Sequence, residues 1–375
     1  MPIPILATAI FCALFFAVQI TSIAIAIVRL RRKAPPQLGD YPPVSLVRPL
    51  CGIDNYTAET LLSTFELDHP CFEILFCVAD ASDPVLSLIK DLMAANPAID
   101  VRLLIGEDRV SANPKLNNVV KGWRAASHDW VVIADSNVLM PPDYIQSLFA
   151  SWRADTGLVA SPPIGSRPRG FWAEIECAFL NTYQARWQYI VDSFGRGFAQ
   201  GKTMLWRRAD LEAGGGIEAL GKEVAEDAAA TKIVRGAGLK VRLMDRPLAQ
   251  PLGRRSASEV WNRQLRWAAA RQLFHLFPAR NSLGRRSADD LRGDLGLRLR
   301  LAGIAFHFGV RALLVWQRNG ARGGRRLARL AAPPALWIDP RSDAHLARQR
   351  DAGRAHAADP DGGSAAAADT GARRG

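Results

Sequence analysis

At 375 residues, 49% of them hydrophobic, the chain allows one large domain or two smaller ones. Its net charge of +12 is uneven: residues 279–375 hold 18 Arg and 9 Asp, against 30 basic and 27 acidic side chains before them, so the excess belongs to the tail and no nucleic-acid partner is expected. The five cysteines (Cys12, Cys51, Cys71, Cys77, Cys177) are odd in number and lack a CxxC pair, which argues against a disulfide framework and for free thiols in a reducing compartment.

Residues 2–28 carry no charge and are long enough to cross a bilayer as a helix. Arg29, Arg31, Arg32 and Lys33 follow at once. A cleaved signal peptide carries its positive charge before the apolar run, so the pattern predicts an anchor over residues 1–33. By the positive-inside rule, the rest of the chain lies in the cytoplasm, here on a bacterial inner membrane. Residues 34–43, APPQLGDYPP, read as a Pro-rich linker.

From residue 44 short apolar runs alternate with helical periodicity. VSLVRPL, FEILFCVAD, VRLLIG and WVVIAD read as strands, separated by helices through AETLLSTFEL, VLSLIKDLMAA and PKLNNVVKGWRAA. That alternation predicts a mostly parallel sheet flanked by helices. GLVASPP reads as a further strand, followed by a long amphipathic stretch, a Gly-rich turn region (GRGFAQGKTMLWRR) and a helix starting near Glu226. LKVRLMD (239–245) is expected to be the last strand, and a helix carrying Trp261 to Trp267 closes the domain, 44–278.

Acidic and basic groups punctuate this frame. Asp80 and Asp83 follow the second strand, where carboxylates can meet a base or ribose; turn and cap residues look the same. Asp135 ends a buried strand, at the ligand-binding edge of an open α/β sheet. It suits a ribose or a divalent ion held by a diphosphate, although the position two further on is Asn137 rather than a second acid. Asp227, in Ala-Glu-Asp-Ala, sits at a helix start, where the helix dipole favours acids and where a general base would be well placed. Arg263 and Arg266 lie one turn apart with Trp267 adjacent, a set suited to diphosphate oxygens or to lipid headgroups. Lys115 and Asn117, in Asn-Pro-Lys-Leu-Asn-Asn, open a helix whose N-terminus can reach phosphate or sugar hydroxyls. No HExxH, Walker A, GxSxG or zinc-spaced Cys/His set occurs, which argues against those mechanisms. Together these groups imply a sugar-nucleotide transferase.

The ordered set resembles the ceramide glucosyltransferases, a membrane-bound, inverting family of GT-A type. The likeness is carried by VSLVRPLCGID, FELDHPCFEILFCVADASDP, ANPKLNN, ADSN, AEDAAATK and the Arg-x-x-Arg-Trp set. The family's three Asp positions and its (Q/R)xxRW motif fall on Asp83, Asp135, Asp227 and Arg263–Trp267. The resemblance implies a GT-A-type nucleotide-sugar-binding fold with an N-terminal transmembrane helix. It also implies transfer of glucose from UDP-glucose to the primary hydroxyl of ceramide with inversion. Asp83 and Asp135, with Asp80 beside them, then belong to the donor site, Asp227 is the proton acceptor and Arg266 meets the leaving nucleotide. A divalent cation, Mg2+ or Mn2+, is expected at Asp135. A hopanoid or diacylglycerol acceptor, or a UDP-N-acetylglucosamine donor, is the alternative.

The likeness ends near Phe277. Residues 279–375 contain no Lys, Glu, Met, Tyr or Cys, and their best apolar run, 301–316, is interrupted by Arg311. The expectation is a disordered low-complexity tail, produced by a reading-frame change that replaces membrane helices and leaves activity in question.

Overall fold

The computed structural model describes residues 3–31 and 41–276. The expectations for residues 34–40 and for the tail 279–375 lie outside the described residues. In chain order the strands are β1 (Val44–Leu50), β2 (Phe72–Val78), β3 (Asp100–Ile105), β4 (Trp130–Ala134), β5 (Thr156–Ala160), β6 (Pro163–Arg169), β7 (Thr203–Arg207), β8 (Lys240–Leu243) and β9 (Leu248–Arg254). The helices are α1 (Ile3–Leu30), α2 (Thr57–Phe65), α3 (Val85–Ala95), α4 (Pro114–Ala125), α5 (Tyr144–Ala150), α6 (Phe171–Ala178), α7 (Arg186–Ser193), α8 (Arg208–Ala213), α9 (Glu226–Gly236) and α10 (Ala257–Leu276).

A seven-stranded sheet runs in the order β3-β2-β1-β4-β7-β5-β8. β1 pairs in parallel with β2 and β4, β2 with β3, and β5 with β8, so β1, β2 and β4 end at one edge. Alternate side chains of each strand point to opposite faces. Val47, Leu75, Cys77, Val131 and Ile133 pack under α4 and α9, whereas Val44, Leu46 and Val132 meet Tyr144, Ile145 and Leu148 of α5. Further along the sheet, Ile74 and Phe76 pack on α2 and α3. The expected mostly parallel sheet with flanking helices is therefore present. Cys77 is a core thiol, pushed up to about 12 by burial, as its place in an apolar strand implies.

Two local readings of the sequence need correction. TMLWR, taken as part of the Gly-rich turn, is β7, and it inserts antiparallel between β4 and β5. Its first four residues are buried, so the alternation that marks a half-exposed strand is missing. Residues 239–245 hold β8, but it is not the last strand: β9 follows and pairs in parallel with β6 in a separate two-stranded sheet. Pro163 and Pro168 in β6, and Pro251 and Gly253 in β9, mask both from a search for apolar runs.

The described residues contain one helix long and apolar enough to cross a membrane, over Ala9–Leu30 of α1. Phe11, Leu14, Phe15 and Phe16 are exposed along it. Its C-terminal half is docked on the domain. Arg186 of α7 donates to Gln19 Oε1 at 2.6 Å, and Arg29, read from sequence as flanking positive charge, is sealed. Arg29 meets Asp192 at 2.5 Å and Asp245 at 3.3 Å, donates to the Leu243 carbonyl at 2.8 Å and lies over the Tyr189 ring at 4.8 Å. Gln19 within the apolar run and Arg29 just after it thus mark the contact of α1 with the domain.

Candidate active site

The site begins where β4 stops. Asp135 follows Ala134 at the C-terminal edge of the sheet, and the turn after it is shaped from beneath by Arg48 of β1. Arg48 is fully buried and donates to the carbonyls of Thr60, Asp135 and Ser136 at 2.8, 2.9 and 3.1 Å, and also to the Thr64 hydroxyl. Burial lowers its pKa to about 10, so it stays charged at neutral pH. Sequence reading placed Arg48 in a strand and assigned it no role. A charged residue inside a run of buried strand positions was the available signal.

Above that turn the carboxylates and ammonium groups interlock. Lys115 comes from the first turn of α4, which is started by Asn113 as N-cap and Pro114 behind it. Gly122 lets α4 approach closely, since a Cβ there would meet Cys77 Sγ and Val47 Cγ1 at 2.6 Å. Lys115 Nζ reaches Asp135 Oδ1 at 2.6 Å, Glu226 Oε1 at 2.7 Å and the Gly201 carbonyl at 2.6 Å. Those three acceptors match the three donors of an ammonium. Lys202 Nζ takes the other oxygen of Asp135 at 2.9 Å and Asn137 Oδ1 at 3.1 Å. Asn113 Nδ2 donates to Glu226 Oε2 at 2.7 Å. The ammonium groups hold the Asp135 carboxyl far below the usual range despite burial, and Asp135 and Glu226 in turn raise Lys115.

Asp227, next to Glu226 in the first turn of α9, behaves oppositely. Burial first, and the Glu226 charge second, push its carboxyl up to about 6. Its Oδ2 accepts a long bond from the Gly201 N–H, at 3.3 Å. One carboxylate is thus locked in the charged form while a neighbour is poised near neutrality, the separation that assigns acid–base roles. Gly201 sits between them: a Cβ there would lie 2.8 Å from Glu226 Oε1 and 3.1 Å from Lys115 Nζ.

The other expected residues are distributed unequally. Asp83 is half-buried, and its carboxylate accepts from the N–H groups of Gly52 and Val85 at 2.8 and 2.9 Å. Asp80 is exposed in a turn, where the N–H and hydroxyl of Ser82 lower its pKa. Asn117, expected at the donor, is buried and spends its amide on the 110–111 backbone, so the structure makes it a loop organiser. Arg263 is not brought to the Asp135 cluster either; its guanidinium meets buried Glu176 at 2.5 Å. Arg266 is exposed and Trp267 half-buried on α10. Glu226 and Lys202, quoted in sequence motifs without a role, are the two residues that close the cluster. Their partners stand far away in sequence, which no local pattern reveals.

The donor set was also expected to take a divalent cation. Among the described residues no group of three His, Cys, Asp or Glu side chains is arranged to hold a metal. Both oxygens of Asp135 already meet ammonium groups, so an ion there would share the carboxylate with Lys115 and Lys202.

A poised carboxylate thus stands beside a lysine-neutralised one at the edge of a helix-flanked sheet. The family model described as Glycosyl transferase family 21 matches residues 10–281, and the chain belongs to that family. It is 28% identical over 264 residues to ceramide glucosyltransferase 1 of Caenorhabditis elegans, covering 70% of this chain and 56% of that protein. Ceramide glucosyltransferase of Komagataella phaffii is 39% identical over 108 residues, 28% of this chain and 21% of that one. The chain therefore spans about half the length of the worm relative, and less of the yeast one. Among solved structures, a mannosyltransferase from Pyrobaculum calidifontis in complex with GDP-Man and Mn2+ is 18% identical, with a TM-score of 0.46 over 69% of this chain and 70% of that one. Glucosyl-3-phosphoglycerate synthase from Mycobacterium tuberculosis, with Mn2+, UDP and its product, is 14% identical with a TM-score of 0.38 over 66% and 84%. At such scores the ligands of those proteins say nothing of this one.

Proposed function

We propose that this chain transfers a hexose, glucose from UDP-glucose, to the primary hydroxyl of a ceramide-like lipid, with inversion. Residues 44–278 form the catalytic domain and α1 its membrane anchor, with the domain on the cytoplasmic side. The observation that carries the reading is Asp227, raised to about 6 beside Glu226, whose carboxylate pairs with Lys115. Membership of the family and the likeness to ceramide glucosyltransferases supply the substrate class.

In this reading the ionised Asp227 takes the proton of the acceptor hydroxyl as its oxygen attacks the anomeric carbon. The bond from that carbon to the diphosphate oxygen breaks, and its electron pair leaves with the nucleotide. Attack from the side opposite the leaving group inverts the centre, and no covalent intermediate is needed. Negative charge collects on the diphosphate, where Lys202 and Arg266 would meet it. Asp83 and Asp135 belong to the donor site, with Asp80 at its rim. No step is routed through a divalent cation.

Membranes containing the protein, given labelled UDP-glucose or UDP-N-acetylglucosamine with ceramide, diacylglycerol or a hopanoid polyol, test this on a thin-layer plate. A labelled glucosylceramide is the expected product. A labelled lipid from another pair alone would reassign the substrates, and none from any pair would remove the activity.

A further inference from the structure

Glu176 carries no sequence motif, yet its surroundings set it apart. It lies in the last turn of α6 with no exposed surface, between two arginines. Oε1 takes Arg263 Nη1 at 2.5 Å, and Oε2 stands 3.6 Å from Arg255 Nε. Arg255, itself almost sealed, turns both Nη atoms to Asp54 at 2.8 and 2.7 Å. Asp54 follows β1 in the loop that also holds Gly52, whose N–H donates to Asp83 at 2.8 Å. Asn55, from the same loop, donates to the carbonyls of Leu252 and Arg254 at 3.0 and 2.9 Å. A continuous polar chain therefore runs from Asp83 through the β1 loop, Arg255 and Glu176 to Arg263.

A carboxylate with no access to water must be paired, and removing its partner leaves an uncompensated charge. Drawing Arg263 away to bind a diphosphate would leave Glu176 with Arg255 at 3.6 Å. Arg266, three residues on, occupies a neighbouring position one turn along the helix and is exposed. The two arginines of the motif thus stand in different chemical surroundings.

We propose that Glu176 is a positioning residue: it grips Arg263, and through it fixes how α10 presents Arg266 and Trp267 to the donor. Arg263 is the anchor of the motif, and it is not a donor ligand. This deepens the transferase reading and rests on it for the role of Arg266 and Trp267.

The test is a double-variant cycle of Glu176→Gln and Arg263→Gln in the full chain. It is read by thermal unfolding, by calorimetric UDP binding and by steady-state transfer from UDP-glucose to ceramide. Each single variant is expected to lower kcat by about 100-fold through misplacement of α10, with UDP affinity held within about twofold. The double variant is no worse than the poorer single one, in kcat or in melting temperature, because both break one contact. The reversed pair, Glu176→Arg with Arg263→Glu, regains about tenfold in kcat over either single variant. If Glu176→Gln does not fold, Glu176→Asp, which keeps the charge but shortens its reach, shows the same loss of kcat at unchanged UDP affinity. Loss of UDP affinity in Arg263→Gln alone, or losses that multiply in the double variant, would overturn the proposal. A native protein that neither binds UDP nor transfers glucose would sink the functional reading, while coupling in thermal unfolding would still decide whether the tie exists.

Discussion

Two ion-pair clusters of the same domain teach different things. Around Arg29 the charges are sealed: the side chains of Arg29 and Asp192 are each 8% exposed, and a tyrosine ring covers the guanidinium. Around Asp135 the charges are satisfied but reachable, with 26% of Lys115 and 20% of Asp135 open to solvent. In the first, burial outweighs the Arg29 charge and raises the Asp192 carboxyl; in the second, two ammonium groups outweigh burial and lower Asp135. A sealed cluster with one cation holds elements together, here α1 against α7. An open cluster whose lysines reach solvent can exchange partners with an anionic ligand.

Substitutions can break this contrast. The largest effect is expected from Asp227→Asn, which should cost on the order of 10²- to 10⁴-fold in kcat by removing the base. The variant should also melt higher than the native protein at neutral pH. A carboxyl raised in the folded state contributes stability below its unfolded value and loses it as pH rises through about 6, and Asn has no such cost. Next, Arg29→Ala strands Asp192 and should lower stability by about 3 kcal/mol, seen in thermal unfolding. The transfer rate of the folded fraction should stay near native, since this cluster holds no ligand. Lys202→Met acts on the other side: about tenfold loss of kcat/KM with a smaller change in melting temperature. Equal effects of Arg29→Ala and Lys202→Met on both readouts would erase the distinction between the clusters. Asp80→Ala, at an exposed turn, should leave kcat/KM within about twofold.

How much of this was legible in the sequence follows the same division. From Val44 to Ala134 each strand is a short apolar run bounded by turns, so the expected order of elements matches the sheet. Asp135 and Asp227 were legible because they end a strand and start a helix. β7 was not, since burial on both faces removes its alternation, and β6 and β9 were hidden by proline and glycine. The partners of Arg29 were not legible, because Asp192 and Asp245 lie far along the chain. The same holds for Glu176 with Arg263, and for Lys115 with Glu226: ion pairs formed by folding leave no local pattern.

The role of Asp227 as proton acceptor is tested most directly by the pH dependence of kcat/KM for transfer from UDP-glucose to ceramide. The carboxyl must be ionised to accept a proton, so log kcat/KM should rise with unit slope to about pH 6 and then level, and this limb should vanish with Asp227→Asn. A profile flat through pH 6, or the same limb surviving in Asp227→Asn, would contradict it.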